Sequence, residues 1–212
     1  MAITDYASLK TAIGTHSKVS SLATDAVVDD FIRFATEYFN FGGDPDTDPP
    51  LRTRDMEAVS DLTPSSGVCT LPSDYLQYRR VVEKSSPRRE LRFITPDQAE
   101  VLYPSRYSGP GLNFTIIGSS LYTLPLVSND VELTHYQEIP NLTSGNTTNW
   151  LLTKNPQVYL RACLMFAAIY RNDDGAIAKE TALTRSMVAG MNAADMTANY
   201  ARAGLSIKGS TP

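Results

Sequence analysis

The stretch Asn155-Pro156-Gln157-Val158-Tyr159-Leu160-Arg161-Ala162-Cys163-Leu164-Met165-Phe166-Ala167-Ala168-Ile169-Tyr170 decides the fold. Asn155 followed by Pro156 reads as an N-cap and first helical residue, because proline has no N–H to lose there and its φ is already helical. From Val158 to Tyr170 almost every face is apolar, the pattern of a helix buried on all sides. Such a core helix needs neighbours around it. Downstream, Asn172 to Gly175 makes a break, with Asp173 and Asp174 placed to cap a long last helix running to about Ala203. Its expected apolar stripe is Leu183, Met187, Met191, Ala194 and Ala198. Upstream, Tyr6, Leu9 and Ile13 repeat at helical spacing behind Thr4 or Asp5. Val28, Phe31, Ile32, Ala35, Tyr38 and Phe39 form a second stripe behind Thr24 and Asp25, ended by Gly42 and Gly43.

Between these helices the periodicity changes. From Leu51 to about Pro140, short β-rich runs alternate with Pro, Gly and Ser clusters, predicting an antiparallel sheet. The strands expected are Arg52 to Ser60, Gly67 to Leu71, Tyr78 to Glu83, Glu90 to Ile94, Asn113 to Ile117, Leu121 to Leu124 and Asp130 to Glu138. A hairpin turns at Gly118, Ser119 and Ser120, and a short helix follows Thr95-Pro96. The predicted class is α+β: a bundle of N- and C-terminal helices carrying an inserted antiparallel β domain. Residues 1–50 and 141–203 form the bundle, 51–140 the insertion and 204–212 a Gly-, Ser- and Thr-rich flexible tail. Trp150 falls where the insertion rejoins the helices, and its expected role is to anchor that junction by burying a large ring.

The composition is that of a globular protein, with 42% hydrophobic and 20% charged residues in 212. A net charge of −4 argues against a chain whose main task is to coat DNA phosphates. The charge is uneven: residues 1–50 hold 3 basic and 8 acidic side chains, 51–150 hold 9 and 11, and 151–212 hold 7 and 4. That asymmetry suits ends that meet different partners, although solvated helix faces produce it too. The start Met-Ala-Ile-Thr-Asp lacks the basic residues and apolar run of a signal peptide, and Val158 to Tyr170 is too short to span a bilayer, so a soluble protein made in a cytoplasm is expected.

Candidate chemistry is sparse. Cys69 and Cys163 are far apart and form no CxxC pair, so buried thiols are expected rather than a disulfide or a zinc site. Asp44, Asp46 and Asp48 match the first ligand positions of a calcium loop, but Pro49 stands where that loop needs Gly and Asp55 where it needs Glu. His16 and His135 have no nucleophile or zinc-binding pattern around them, and no phosphate-binding loop is present. No catalytic residue, metal site or cofactor is expected. One basic cluster stands out: Arg79, Arg80, Lys84, Arg88, Arg89 and Arg92, offset by Glu83 and Glu90, give +4 within fourteen residues. Arginine suits bidentate carboxylate pairing, so Arg79, Arg80, Arg88, Arg89 and Arg92 are read as salt-bridge residues toward another subunit or partner; an ordinary solvated surface accounts for the run equally well.

The order of segments resembles a known family. Ala2-Ile3-Thr4-Asp5-Tyr6-Ala7-Ser8-Leu9, then Asp30-Phe31-Ile32, then Leu51-Arg52-Thr53-Arg54-Asp55-Met56-Glu57 is similar to the opening of the tailed-bacteriophage head-to-tail adaptor (connector) proteins. Leu71-Pro72-Ser73-Asp74-Tyr75-Leu76, Thr95-Pro96-Asp97-Gln98, Ile139-Pro140-Asn141-Leu142 and Asn149-Trp150-Leu151-Leu152 continue the likeness over nearly the whole chain. Only Gly42 to Pro50 departs from it, being longer and more acidic. The resemblance implies a structural virion protein of the neck: a ring, usually of twelve copies, beneath the portal. Such a ring extends the DNA channel and holds tail or nozzle proteins. It also implies that Gly204, Leu205, Ser206, Ile207 and Lys208 order on the portal. DNA would pass through without sequence-specific binding. A tail-completion or stopper ring is the alternative in the same class; a DNA-binding module and then a hydrolase follow.

Overall fold

The computed structural model describes residues 2–19, 26–44 and 46–200, with residues 199 and 200 described by backbone alone. The chain forms two compact units, one of Met1–Asp55 with Ile139–Pro212 and one of Met56–Glu138. The expected α+β class is what the structure shows: terminal helices flank a β region.

The first unit holds α1 (Tyr6–His16), α2 (Val27–Phe41), α4 (Trp150–Lys154), α5 (Pro156–Tyr170) and α6 (Asp174–Tyr200). Asp5 starts α1 with a reciprocal cap: the Ser8 N–H donates to its carboxylate at 2.8 Å and the Asp5 N–H donates to the Ser8 hydroxyl at 2.9 Å. Thr24 and Asp25, expected to cap α2, lie outside the described residues. Gly42 ends α2 at φ +75°, where a Cβ would come within 2.4 Å of the Asp48 carbonyl oxygen.

Helix α5 is the core. At 100° per residue, Tyr159, Phe166 and Tyr170 fall within about 40° of one another, and Arg161 and Leu164 lie about 140–200° away. The first set meets α2, through Phe39, Phe34 and Phe31 respectively. The second meets α6, where Arg161 donates to Glu180 and Leu164 lines a shallow cavity with Lys179 and Glu180. Helices α2 and α6 therefore occupy opposite faces of α5, which is why its pattern is apolar all round.

Asn155 and Pro156 stand as the N-cap and first helical residue of α5, as expected, but Asn155 makes no side-chain cap; its N–H closes α4 on the Leu151 carbonyl oxygen, so it joins two helices. One expectation fails here. On α6 the buried residues are Glu180, Thr184 and Val188, whereas Leu183, Met187 and Met191 are half-buried and Ala194 and Ala198 exposed. The inward polar groups are tolerated because they are paired, Glu180 with Arg161 and the Thr184 hydroxyl with the Glu180 carbonyl oxygen.

The second unit contains β1 (Glu57–Leu62), β2 (Val68–Thr70), β3 (Tyr75–Glu83), β4 (Arg89–Glu90), β5 (Arg92–Phe93), α3 (Pro96–Leu102), β6 (Asn113–Ile117), β7 (Ser120–Leu124) and β8 (Val131–Gln137). These make two four-stranded sheets, ordered β1-β8-β3-β4 and β2-β7-β6-β5. Strand β8 buries Val131, Leu133 and His135 in alternation, and Leu62, Cys69, Val81, Leu91, Phe114 and Leu121 are among the residues that fill the core beside it. The β6–β7 hairpin turns through Gly118 at φ +59° and Ser119, with Ile117 opposite Ser120.

Three strand expectations change. The sheets are not wholly antiparallel, because β5 runs parallel to β6. The run Glu90 to Ile94 is no single strand: the chain leaves one sheet and enters the other at Leu91, whose side chain is buried in the core. Residues 52–56 form no strand, since the Arg52 and Arg54 N–H groups donate to the side chains of Asn192 and Asp195 rather than to a ladder.

Candidate functional site

Among the described residues both thiols are out of reach of solvent. Both cysteines are free and buried. Burial, with Asp130 nearby, pushes the Cys69 thiol up to about 11, and burial drives the Cys163 thiol higher still. Such thiols are poor nucleophiles at neutral pH. Among the described residues no group of three His, Cys, Asp or Glu side chains is placed to hold a metal ion.

Of the acidic loop, Asp48 is turned inward, where its carboxylate pairs with Arg185 at 2.6 Å and accepts from the Tyr38 hydroxyl at 3.0 Å. Asp44 accepts from the Asp46 N–H at 2.9 Å, closing a local turn. Asp173 caps α6 through the Ala176 N–H at 3.0 Å. His16 is exposed in the last turn of α1. His135 is buried, with neither ring nitrogen hydrogen-bonded among the described residues; the Asp74 carboxylate lies 4.0 Å away and the Tyr75 ring centroid 5.8 Å.

The basic cluster lies on β3, β4, β5 and the β3–β4 connection, and much of it is paired within the chain. Arg79 pairs with Glu57, Arg80 with Glu90 at 3.6 Å, Lys84 with Asp61 at 2.6 Å and Arg88 with Glu132 at 2.6 Å. These are surface ion pairs, each worth little in water. Arg89 and Arg92 make no ion pair among the described residues, so they are the cluster's available guanidinium groups.

Glu83, seen in the sequence only as an offset to the arginines, is buried at the end of β3. It accepts from the Gly111 N–H at 3.1 Å and the Asn129 amide at 2.8 Å, pinning two loops. Nothing local signals this, because the loops arrive from 28 and 46 residues away.

Trp150 opens α4 as its first residue, behind the Asn149 cap. The ring is half-buried, and its buried indole N–H has no hydrogen-bond partner among the described residues. The preceding loop is tied down around it. The Ile139 N–H donates to Asn40 at 2.9 Å, the Asn149 amide to the Pro140 carbonyl oxygen at 2.9 Å and the Tyr6 N–H to the Thr147 carbonyl oxygen at 2.8 Å. Gly204 to Lys208 lie outside the described residues. No helix among those described is long and apolar enough to cross a membrane.

None of the curated proteins compared matches the chain significantly. A family model described as SU10 adaptor protein matches residues 4–205, which takes in both compact units nearly from end to end. A match of that extent settles the affiliation: the chain belongs to the SU10 adaptor protein family, a phage adaptor family.

Proposed function

We propose that the chain is a structural, non-catalytic component of the virion neck, a head-to-tail adaptor. Copies of it, twelve by resemblance, form a ring beneath the portal, extend the DNA channel and offer an attachment site to tail or nozzle proteins. The observation that carries this reading is the family match over residues 4–205. The chemistry agrees with it. A ring subunit needs side faces that repeat and close, and it needs no reactive group. A net charge of −4 suits a channel through which DNA slides without sticking.

Within this reading, Arg89 and Arg92 pair with carboxylates of a neighbouring subunit or partner, and Gly204, Leu205, Ser206, Ile207 and Lys208 engage the portal. Trp150 anchors the segment that leads into α4 and α5. The test is sedimentation of the purified chain with tailless, portal-bearing heads, followed by electron microscopy of the pellet. A ring of density directly on the portal is the expected result. Density only below another ring makes the chain a stopper, and no binding to heads at any stage of assembly overturns the proposal. Removing residues 204–212 should abolish attachment while leaving the folded chain intact by circular dichroism.

A further inference from the structure

Four of the described arginines are half-buried: Arg52, Arg89, Arg106 and Arg161. Three of them have acceptors. Arg52 donates to the carbonyl oxygens of Asn40 and Leu51, Arg106 to Glu100 and Arg161 to Glu180. Arg89 has none among the described residues, and the acids beside it are not spare. Glu90 pairs with Arg80, and Glu83, opposite Arg89 in the β3–β4 register, accepts from Gly111 and Asn129. A guanidinium drawn partly out of water without an acceptor is destabilising, so its retention makes sense if an acceptor arrives from outside. Arg92 carries no such implication, because it is exposed.

The surroundings of Arg89 form a socket. It lines a cavity of about 290 Å3 together with Ser85, Ser108, Pro110, Leu126 and Ser128. The hydroxyls of Ser108 and Ser128 make no hydrogen bond among the described residues, whereas that of Ser85 donates to the Pro87 carbonyl oxygen at 2.8 Å. Glu83 also lines the cavity and holds its frame. One of its oxygens accepts from the Gly111 N–H, three residues after Ser108, and the other from Asn129, next to Ser128. The two loops that carry the uncommitted hydroxyls are thereby fixed on either side of Arg89.

One guanidinium flanked by two hydroxyl donors is a donor set for a carboxylate, which arginine grips with two parallel hydrogen bonds. The cavity has room for a side chain. A nucleic-acid backbone fits less well, since a polyanion needs several free cations and Arg80, Lys84 and Arg88 are already matched with Glu90, Asp61 and Glu132.

We infer that this cavity seats the carboxylate of an Asp or Glu side chain from another polypeptide, held by Arg89 with Ser108 and Ser128 as further donors. The inference rests on the adaptor reading only for the source of that carboxylate, which is a second copy of the chain or another neck protein.

The first arm of the test titrates the free full-length chain with N-acetyl-aspartate N-methylamide and follows its backbone amide resonances. Those of Ser108, Gly109 and Ser128 should shift together and saturably, and the corresponding asparagine derivative should leave them in place. Arg89→Gln should weaken this binding by about tenfold or more while keeping the parent's thermal midpoint, and Arg92→Gln should leave it unchanged. No saturable shift, an equal response to the asparagine derivative or undiminished binding by Arg89→Gln overturns the site. Tighter binding of inorganic phosphate overturns the choice of a carboxylate.

The second arm finds the source. Arg89→Lys places an amine in the socket, and a zero-length carbodiimide applied to head-bound chain should join position 89 to an Asp or Glu of a second copy or of another neck protein, identified by mass spectrometry. Either source supports the site, and head-bound chain joined there to no other polypeptide overturns it. A chain that binds the aspartate derivative but never binds heads keeps the socket and removes the adaptor reading.

Discussion

The hydroxyl of Tyr159 on α5 hydrogen-bonds the hydroxyl of Thr36 on α2, and both residues are buried in the centre of the helical unit. The Thr36 proton is directed to the Ile32 carbonyl oxygen at 3.0 Å, so Tyr159 is the donor of the pair. Burial raises the Tyr159 pKa far above its ordinary value, which keeps the phenol protonated at any working pH. The bond fixes the rotation of α5 against α2, with the Phe39 ring packed edge-on at 5.3 Å.

Tyr159→Phe removes one hydrogen bond and should cost about 1 kcal/mol. Thr36→Val leaves the buried phenol donor without its acceptor and should cost about 2 kcal/mol, with the double variant recovering part of that loss. Denaturant titration of the four proteins measures both numbers; a Thr36→Val cost below that of Tyr159→Phe would contradict the assigned direction.

Arg161 and Glu180 join α5 to α6 at 3.0 and 3.1 Å, with side chains only 23% and 10% exposed. Glu180→Leu strands a largely buried guanidinium and should cost roughly 3 kcal/mol. Replacing both, as Arg161→Met with Glu180→Leu, should return the chain to within about 1 kcal/mol of the parent. A double-mutant cycle by chemical denaturation checks this, and simple additivity of the two single losses would be the contrary result.

Gly67 stands at φ +75°, where a Cβ would approach the Leu126 Cδ2 at 2.6 Å and its Cα at 2.9 Å. Gly67→Ala should cost about 3 kcal/mol, combining left-handed strain with overpacking. Gly118→Ala isolates the strain alone, since nothing lies within 4 Å of its Cβ position, and should cost about 1 kcal/mol. Equal thermal midpoints for the two variants would refute the steric argument.

Alkaline pH should destabilise the fold. Burial first, with Asp130 nearby, raises the Cys69 thiol from 9.0 to about 11. Burial followed by bonds to Asp29 and Asp48 raises the Tyr6 and Tyr38 phenols from 10.0 to about 12. Between these limits the native chain holds protons that the unfolded chain has lost, so the stability gained is complete below about pH 9 and lost as pH rises toward 11 to 12. Unfolding midpoints at pH 8, 9, 10 and 11 should fall steadily; a flat profile would show that these groups are not protected.

Trp150 is half-buried, so Trp150→Ala should cost about 2 kcal/mol, below the range for a fully buried ring. Trp150→Phe should stay within about 1 kcal/mol, because the N–H that it removes has no partner among the described residues. Thermal melts of the two variants separate packing from hydrogen bonding.

Local patterns were legible wherever a residue's role depends on its near neighbours. Asp5 with Ser8, Thr95 with Gln98 and Asp173 with Ala176 cap their helices as the sequence suggests, since a cap is complete within four residues. The β6–β7 hairpin is local for the same reason. Asn155 and Pro156 open α5 as the sequence suggests, whereas the use of the Asn155 N–H to close α4 depends on a second helix ending at the same residue. Residues 52–56 have strand-like composition, yet their N–H groups are taken by side chains some 140 residues away, which no window of sequence contains. The arginine cluster was visible as a run of charge; that Arg79, Arg80 and Arg88 are paired within the chain depends on strand register.

By itself the sequence determined the α+β class and the family, because helical and strand periodicities are properties of consecutive residues and the order of segments is a property of the chain. Only the tertiary structure decided which face of α6 is buried, where β4 and β5 part company at Leu91, and which apolar residues remain in water. Those outcomes rest on pairings between distant segments: Glu180 is acceptable inside only because Arg161, 19 residues away on another helix, reaches it.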